Sequence, residues 1–215
     1  MEEPVAATER LAAIGRRFYG RGWVLGTSGN FSTVVSREPL RLAITASSVP
    51  KGTLSAQDIL ECDERGTVVG PAAGKPSAET LLHLAIVRQR QAGAVLHTHS
   101  VWSTMLSDNG RDRLEIEGYE MLKGLEGVAS HEHREIVPIV ENDQNMARLA
   151  SSMTHALERF PDAHAVLLRR HGLYTWGRTL EDAERHIEIL EFLFETVGRT
   201  EARAARAPGG PSWRS

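Results

Sequence analysis

Apolar residues recur every three or four positions in four long segments of the chain, which is the spacing of an amphipathic α-helix. Ser77 and Thr179 can cap the helices that follow them, and Gly20 is a stop signal after the first helix. The predicted helices cover residues 5–19, 77–91, 145–160 and 179–197, and a shorter helix covers residues 100–107.

Short apolar runs between these helices predict strands. Pro138 lies inside one of them, and because proline cannot donate a hydrogen bond to a neighbouring strand, that strand is expected at a sheet edge. Helices and strands alternate, so the sequence predicts an α/β fold with a central sheet flanked by helices. The predicted strands cover residues 40–45, 59–62, 94–99, 136–140 and 165–171, and an apolar segment over residues 173–176 has no element assigned to it.

The chain has 215 residues, which is enough for one substantial hydrophobic core, and no segment calls for a second domain. We therefore expect a single domain over residues 1–198. Alanine and arginine alternate after residue 199 and give way to a Pro-Gly-Gly-Pro sequence. This composition predicts a flexible C-terminal tail over residues 199–215.

Charge and composition exclude several classes of protein. The formal net charge of -3 lacks the basic footprint of a nucleic-acid binder, and no apolar run is long enough to cross a bilayer. The N-terminus lacks the form of a secretory signal, so we expect a cytoplasmic location. The one cysteine, Cys62, rules out an intramolecular disulfide and a thiolate-rich zinc site, so any metal must be bound by nitrogen and oxygen.

Two apolar runs end in histidines. His97 and His99 close the first run, and their i, i+2 spacing on a strand aims both imidazoles to the same side. His171 follows the second run, so three imidazoles on a rigid sheet predict a catalytic zinc site with one open coordination position. A histidine without such a strand is more often packed or solvated, and we interpret the pair His131 and His133 as part of a surface loop.

Three segments rich in small polar residues, 26–32, 45–48 and 75–77, can bind an anion through backbone N–H groups and hydroxyls. The third lies at a predicted helix start, where the helix dipole favours negative charge. Each segment alone is typical of a simple turn, but together they indicate a phosphorylated substrate. Glu79 is interpreted by default as a carboxylate that stabilises the helix dipole, and Glu120 as a solvated loop residue.

The ordered set of these motifs resembles the class II aldolase/adducin family, over roughly residues 8–197. Within that family, residues 119–124 and 169–177 are similar to the corresponding segments of dehydratases. The motifs are Gly29-Asn30-x-Ser32, Pro76-Ser77-x-Glu79, His97-Thr98-His99 and His171-Gly172.

The resemblance implies a three-layer α/β/α fold with a mixed, mainly antiparallel sheet, and a homotetramer with its sites at subunit interfaces. It implies one zinc ion per subunit, bound by His97, His99 and His171. It also implies that Glu120 is the catalytic acid/base. Glu79 stands where the aldolases of the family keep a catalytic glutamate and some dehydratases have a cysteine, so it is a candidate second acid/base.

The function that the resemblance implies is the removal of water from a small phosphorylated ketose. A sugar-phosphate aldolase is the alternative, because a metal that polarises a carbonyl also supports retro-aldol cleavage. A non-enzymatic, adducin-like interaction module is a third hypothesis, and it would need no metal. The residues expected to bind the substrate phosphate are Ser28, Gly29, Asn30, Ser47, Ser48 and Ser77.

Overall fold

The computed structural model describes residues 4–70 and 74–206. These residues form one eight-stranded sheet and five α-helices, with short 3₁₀ turns between some of them. The helices are α1 (Pro4–Gly20), α2 (Thr80–Arg90), α3 (Val101–Leu106), α4 (Met146–Arg159) and α5 (Leu180–Arg206). The strands are β1 (Asn30–Arg37), β2 (Leu40–Thr45), β3 (Ile59–Asp63), β4 (Ala94–Thr98), β5 (Arg113–Glu117), β6 (Arg134–Val140), β7 (Ala165–Leu168) and β8 (Gly172–Gly177).

The strands lie side by side in the order β3-β2-β1-β4-β8-β7-β6-β5. Every neighbouring pair is antiparallel except β6 and β7, which are parallel. The sheet is therefore mixed and mainly antiparallel, as the family resemblance implies.

Strand β4 is buried along its whole length in the middle of this sheet. Successive side chains of a strand point to opposite faces. Val95 packs in the cluster that contains Leu82 of α2 and Leu149 of α4, whereas Leu96 packs in the cluster that contains Leu190 of α5. Helices α1 and α3 also contribute to the cluster that contains Leu96 and Leu190. Helices therefore cover both faces of the sheet, and the predicted three-layer α/β/α fold is confirmed.

Several helix ends follow the capping residues of the sequence. Asn145 accepts a hydrogen bond from the Arg148 amide, and Thr179 accepts one from the Asp182 amide. Helix α2 begins at Thr80, later than predicted, because the hydroxyl of Ser77 accepts from the Glu79 amide within the preceding turn instead of capping the helix itself.

Three strands are missing from the sequence-based prediction. Strand β1 begins inside the segment interpreted as an anion-binding loop, strand β5 lies in an acidic stretch without a predicted element, and strand β8 contains the apolar segment that follows His171. The edge position predicted from Pro138 is wrong, because β6 lies between β5 and β7. The Ile139 amide donates to the carbonyl of Asp112 on the β5 side, so the nitrogen of the preceding Pro138 faces the β7 side. Pairing between β6 and β7 begins only at Ile139, so the sheet needs no hydrogen bond from Pro138.

The C-terminal part of the domain differs from the prediction as well. Helix α5 continues to Arg206, so residues 199–206 of the predicted tail are helical. Residues 207–215 of that tail lie outside the described part of the chain. None of the helices in the described residues is both long and apolar enough to span a membrane.

Candidate active site

Three histidine side chains meet where the end of β4 faces the turn between β7 and β8. Nε2 of His99 lies 2.8 Å from Nε2 of His97 and 3.1 Å from Nε2 of His171. The intervening Thr98 points to the opposite face, where it donates a 2.7 Å hydrogen bond to Glu191 of α5. The i, i+2 spacing thus places two imidazoles together, and the sheet brings the third from 72 residues away.

Two glycines, one just before β1 and one at the start of β8, allow the backbone there to approach β4 closely. Gly29 has a positive φ of 73°, and a Cβ there would lie 2.7 Å from the carbonyl oxygen of His97. A Cβ on Gly172 would clash with the carbonyl oxygen of Thr98. Larger residues at either position would push the loops that carry the site away from the strand.

The protonation states of the imidazoles suit metal binding. Nδ1 of His97 lies 2.9 Å from the carbonyl oxygen of Leu173, and since a carbonyl only accepts, this nitrogen carries the proton and Nε2 keeps its lone pair. Burial, reinforced by His171, lowers the pKa of His97 well below its usual value. Burial also lowers the pKa of His99 to about 2 and lowers that of His171. Three neutral imidazoles that converge in this way fit a divalent cation such as zinc.

Glu79 joins this cluster from the start of α2. One of its carboxylate oxygens lies 3.5 Å from Nε2 of His97, and the other lies 3.3 Å from Nε2 of His171. The side chain makes no capping hydrogen bond to the helix, so the carboxylate serves the histidines rather than the helix dipole. The three histidines and Glu79 form one group of ligand atoms that could hold a metal ion.

A chain of buried hydrogen bonds positions the Glu79 carboxylate. Nδ2 of Asn30 donates to Glu79 at 2.6 Å and to the hydroxyl of Ser77 at 3.1 Å. The Asn30 oxygen must therefore accept, and it does so from Nε2 of His83. Nδ1 of the neutral His83 ring in turn accepts from the hydroxyl of Ser32 at 2.7 Å. Burial lowers the pKa of His83 to about 4, which keeps this chain in one orientation at neutral pH.

The predicted phosphate-binding residues all line one cavity of about 240 Å³ beside the histidines. The Ser47 amide donates to the carbonyl of Lys75, so the second and third polar segments are joined directly. Asn30 lines this cavity, but both hydrogens of its amide are directed at Ser77 and Glu79. The cavity is lined by Thr27, Ser28, Gly29, Asn30, Ala46, Ser47, Ser48, Lys51, Ser77, Glu79, His99 and His171.

Lys51 is a candidate functional residue that the sequence analysis missed. Its side chain is buried, and Nζ donates to the carbonyls of Thr27 at 3.1 Å and Val49 at 2.9 Å, which leaves its third hydrogen for a ligand. Burial lowers the pKa of Lys51 to about 8, although Asp58 opposes this shift. The signal in the sequence is a basic residue three positions after Ser48, at the end of an anion-binding segment.

The chain does not bring Glu120 to the histidines. Glu120 begins the 3₁₀ turn Glu120–Gly124, its side chain is 73% exposed, and it forms a 2.7 Å ion pair with Lys123. The hydrogen bond and charge of Lys123 lower the pKa of Glu120, so the exposed carboxylate is ionised at neutral pH. Within the described chain, Glu120 belongs neither to the group of ligand atoms formed by the histidines and Glu79 nor to the lining of the cavity beside them.

Comparison with known proteins gives the family and its dehydratase members. Residues 9–197 match the family described as class II aldolase and adducin N-terminal domain. A methylthioribulose-1-phosphate dehydratase of Pseudomonas fluorescens is 47% identical over 194 residues, which cover 89% of this chain and 92% of that protein. The methylthioribulose-1-phosphate dehydratase of Pseudomonas aeruginosa is 46% identical over 190 residues, which cover 87% of this chain and 91% of the relative.

Solved structures share the fold. An L-fuculose 1-phosphate aldolase superposes with a TM-score of 0.77 and 23% identity, over 98% of this chain and 91% of that one. The L-fuculose-1-phosphate aldolase from Thermus thermophilus superposes with a TM-score of 0.72 and 25% identity, over 93% and 96% of the two chains. Sequence profile, relatives and architecture agree, and the chain belongs to the class II aldolase/adducin family.

Proposed function

We infer that this chain is a hydro-lyase of methionine salvage that converts 5-methylthioribulose 1-phosphate to 5-methylthio-2,3-dioxopentyl 1-phosphate and water. The observation that carries this function is the three-histidine cluster beside a cavity lined by serines and a lysine. Such a site suits a phosphorylated ketose, and the relatives that are 46–47% identical are dehydratases of that substrate.

The reaction needs two proton transfers. A base removes the proton from C3, next to the C2 carbonyl, and an acid protonates the C4 hydroxyl, which leaves as water. The enol that remains tautomerises to the 2,3-diketone. A zinc ion, one per subunit, held by His97, His99 and His171 would supply Lewis-acid polarisation of the carbonyl, which acidifies the C3 proton.

The residues around the cavity would bind and orient the substrate. Hydroxyls of Ser28, Ser47 and Ser48 and the third hydrogen of Lys51 can meet the phosphate oxygens. This anchor would hold the carbon chain across the histidines, where Glu79 already lies. Glu79 is then placed for one proton transfer, and Asn30 keeps its carboxylate in position.

Glu120 is proposed as the main acid/base, contributed by a neighbouring subunit of a homotetramer. Its exposure on the single chain supports this assignment, because a catalytic carboxylate must reach the substrate and Glu120 lies outside the histidine cluster of its own chain. Each site would then combine the histidines of one chain with Glu120 of the next. The cytoplasmic location stays a prediction.

Product analysis tests the reaction. The purified, zinc-loaded protein is incubated with 5-methylthioribulose 1-phosphate, and the products are identified by mass spectrometry. We expect the diketone phosphate, with a mass lower than the substrate by one water. Release of dihydroxyacetone phosphate would show carbon–carbon cleavage and make the protein an aldolase. Unchanged substrate, together with failure of the protein to retain zinc after loading, would instead favour the interaction-module hypothesis.

Mixed oligomers test the shared site. His97→Ala and Glu120→Gln are each expected to inactivate the enzyme, and the two variants are co-expressed with different tags and purified as mixed tetramers. Random assembly would restore about a quarter of the sites if each needs the histidines of one chain and Glu120 of another. Recovery near that level supports a site shared between subunits, whereas no recovery in verified mixed tetramers would place Glu120 in the site of its own chain.

A further inference from the structure

A second group of metal-ligating side chains lies away from the active site, where the loop before β6 meets the loop before β7. His133, Glu135 and His164 bring their ligand atoms together, and among the described residues only this group and the active-site group have such an arrangement. Oε2 of Glu135 lies 2.9 Å from Nε2 of His133 and 2.8 Å from Nδ1 of His164. The Glu135 side chain is 1% exposed, so this carboxylate is buried against two imidazoles.

Both ring nitrogens of His164 face oxygen atoms that can only accept hydrogen bonds, so the ring needs a proton or a cation at Nδ1. Nε2 of His164 lies 2.8 Å from the carbonyl oxygen of Glu126, which can only accept, so Nε2 carries a hydrogen. Nδ1 faces the Glu135 carboxylate, which also accepts when ionised. A neutral imidazole donates from one nitrogen only. The second contact therefore requires either an imidazolium proton or a metal ion on Nδ1.

The neighbouring His186 shows that this feature is specific to His164. Nε2 of His186 accepts from the Glu126 amide at 3.1 Å, and Nδ1 lies 2.7 Å from the carbonyl oxygen of Trp176. One nitrogen accepts and the other donates, which is the bonding of a neutral ring. His186 has no nitrogen left for a metal, although its ring centroid is only 5.5 Å from that of His164.

We propose that His133, Glu135 and His164 form a second divalent-cation site, of the zinc class, separate from the active site. Two imidazole nitrogens and one carboxylate oxygen are ligands that zinc accepts, and three protein ligands leave a position for water. The ligands come from the segment before β6, from β6 itself and from the loop before β7. A cation there would tie these three segments together.

Hydrogen bonds around the ligands match those of metal centres. The carbonyl of Glu126 orients His164 through its Nε2–H, as second partners of metal-bound histidines commonly do. The His164 amide donates to Oε1 of Glu135 at 2.9 Å, which leaves Oε2 for the cation. In the metal-free protein, Nδ1 of His164 and Nε2 of His133 are hydrogen-bonded to this carboxylate. A bound cation would replace the hydrogens in both of these contacts.

Access and charge are compatible with this site. His133 is 30% exposed and lines a surface cavity together with His164 and the carboxylate-bearing Asp162. Arg90 lines the same cavity, but its guanidinium donates to the carbonyls of Leu157 and Phe160. Burial opposes a charge on His164, yet the hydrogen bond and charge of Glu135 raise the pKa of His164 overall, so the site favours a cation.

Metal stoichiometry tests the proposal. Tag-free protein is stripped with chelator and titrated with Zn²⁺ by calorimetry, and its metal content is measured after dialysis. We expect two equivalents per chain for the wild type and one for His133→Ala. This variant should keep its dehydratase turnover, because His133 belongs neither to the active-site ligand group nor to the cavity beside it. His131→Ala is the matched control: His131 is exposed two residues earlier, and this variant should keep both equivalents.

The second site can also be tested without the active-site metal, so that its outcome does not depend on the proposed function. In a His97→Ala/His171→Ala background, Zn²⁺ should still bind at one equivalent and raise the melting temperature, and adding His133→Ala should abolish both effects. The proposal is overturned if the wild type binds one equivalent, or if His133→Ala still binds two. It is also overturned if His133→Ala loses turnover together with its metal, because the lost ion would then be the active-site one.

Discussion

The imidazole of His97 lies flat against the phenol ring of Tyr174, with the ring centroids 3.8 Å apart and the ring planes 10° from parallel. The two residues are directly opposite each other on β4 and β8. The ring of Tyr174 therefore restricts the His97 imidazole on one side, while the Leu173 carbonyl fixes its Nδ1. Two consecutive residues of β8 thus hold the buried imidazole in a single orientation.

This contact predicts different effects for two substitutions of Tyr174. Tyr174→Leu removes the flat surface and should weaken Zn²⁺ affinity about 10-fold, within the range seen when partners of metal ligands are changed. Tyr174→Phe keeps the ring and should leave the affinity nearly unchanged. Competition with a chromogenic zinc chelator measures both constants. Equal losses in the two variants would show that the hydroxyl, not the ring, supports His97.

The histidines themselves are expected to be required for both metal and turnover. His97→Ala and His171→Ala each remove one of three ligands, so both variants should lose bound zinc and activity. His155→Ala is the control, because His155 is exposed on α4 and takes no part in the cluster. Metal analysis and turnover are measured on the same samples. Full turnover of either ligand variant with zinc bound would refute the assignment.

The sequence predicts the histidine cluster because that part depends on local pattern. The strand 94–98 and the i, i+2 spacing of His97 and His99 are visible in seven consecutive residues, and the structure places both imidazoles together. The three polar segments are also visible, and they share one cavity. What remains hidden is how distant segments pair: Pro138 indicates an edge strand, yet β7 covers that side of β6 from Ile139 onward.

Two side chains that the sequence misses or interprets differently depend on tertiary contacts. Lys51 has the polarity of a surface residue, and only the carbonyls of Thr27 and Val49 make its burial acceptable. The Glu79 carboxylate looks like a helix-start acid until Asn30 turns it towards the histidines. Strand β5 is a different case, since its residues Arg-Leu-Glu-Ile-Glu alternate polar and apolar, which is the period of a half-buried strand, and the prediction left this short signal unassigned.

Substitution of the two glutamates separates their roles. Glu120→Gln should keep zinc and lose turnover about 100-fold or more, the usual size of a general acid–base effect. Glu79→Gln distinguishes two functions of Glu79: retained zinc with lost turnover identifies an acid/base, and lost zinc identifies a fourth ligand. Zinc content and single-turnover rates are measured for both. A fully active Glu120→Gln variant would move the acid/base role to Glu79 or to water.

Lys51 is expected to act in substrate binding. Lys51→Met removes a charged hydrogen bond to the phosphate, worth about 2 kcal/mol, so KM should rise roughly 10- to 100-fold while zinc stays bound. Lys75→Met is the matched control, because Lys75 is exposed next to the same segment. A similar rise in both variants would indicate a general loss of positive charge rather than a specific contact.

The lowered pKa of Lys51 adds a pH dependence to this binding. The group is charged below a pH of about 8 and neutral above it, so the phosphate loses this partner as the pH rises. We expect KM of the wild type to increase above that pH and KM of Lys51→Met to stay flat over the same range. A parallel increase in both proteins would assign the dependence to another group.

The buried His83 predicts a loss of stability in acid. Its pKa is about 4 in the folded protein because of burial, and 6.5 is the ordinary value, so between these limits the unfolded chain binds the additional proton. The free energy of unfolding must therefore fall as the pH drops from 6.5 towards 4, by about 3 kcal/mol from this group. Above pH 6.5 neither state is protonated and the effect vanishes.

His83→Gln isolates this contribution, because glutamine cannot take up the proton and its amide can still donate to Asn30. Urea unfolding of zinc-loaded wild type and variant at several pH values between 4.5 and 7.5 gives the two dependences. Histidines common to both proteins cancel in the difference, so the wild type should lose stability on acidification more steeply than His83→Gln. Identical slopes would mean that His83 takes up its proton at the same pH in both states, and that the hydrogen-bonded chain from Ser32 to Glu79 does not hold it neutral.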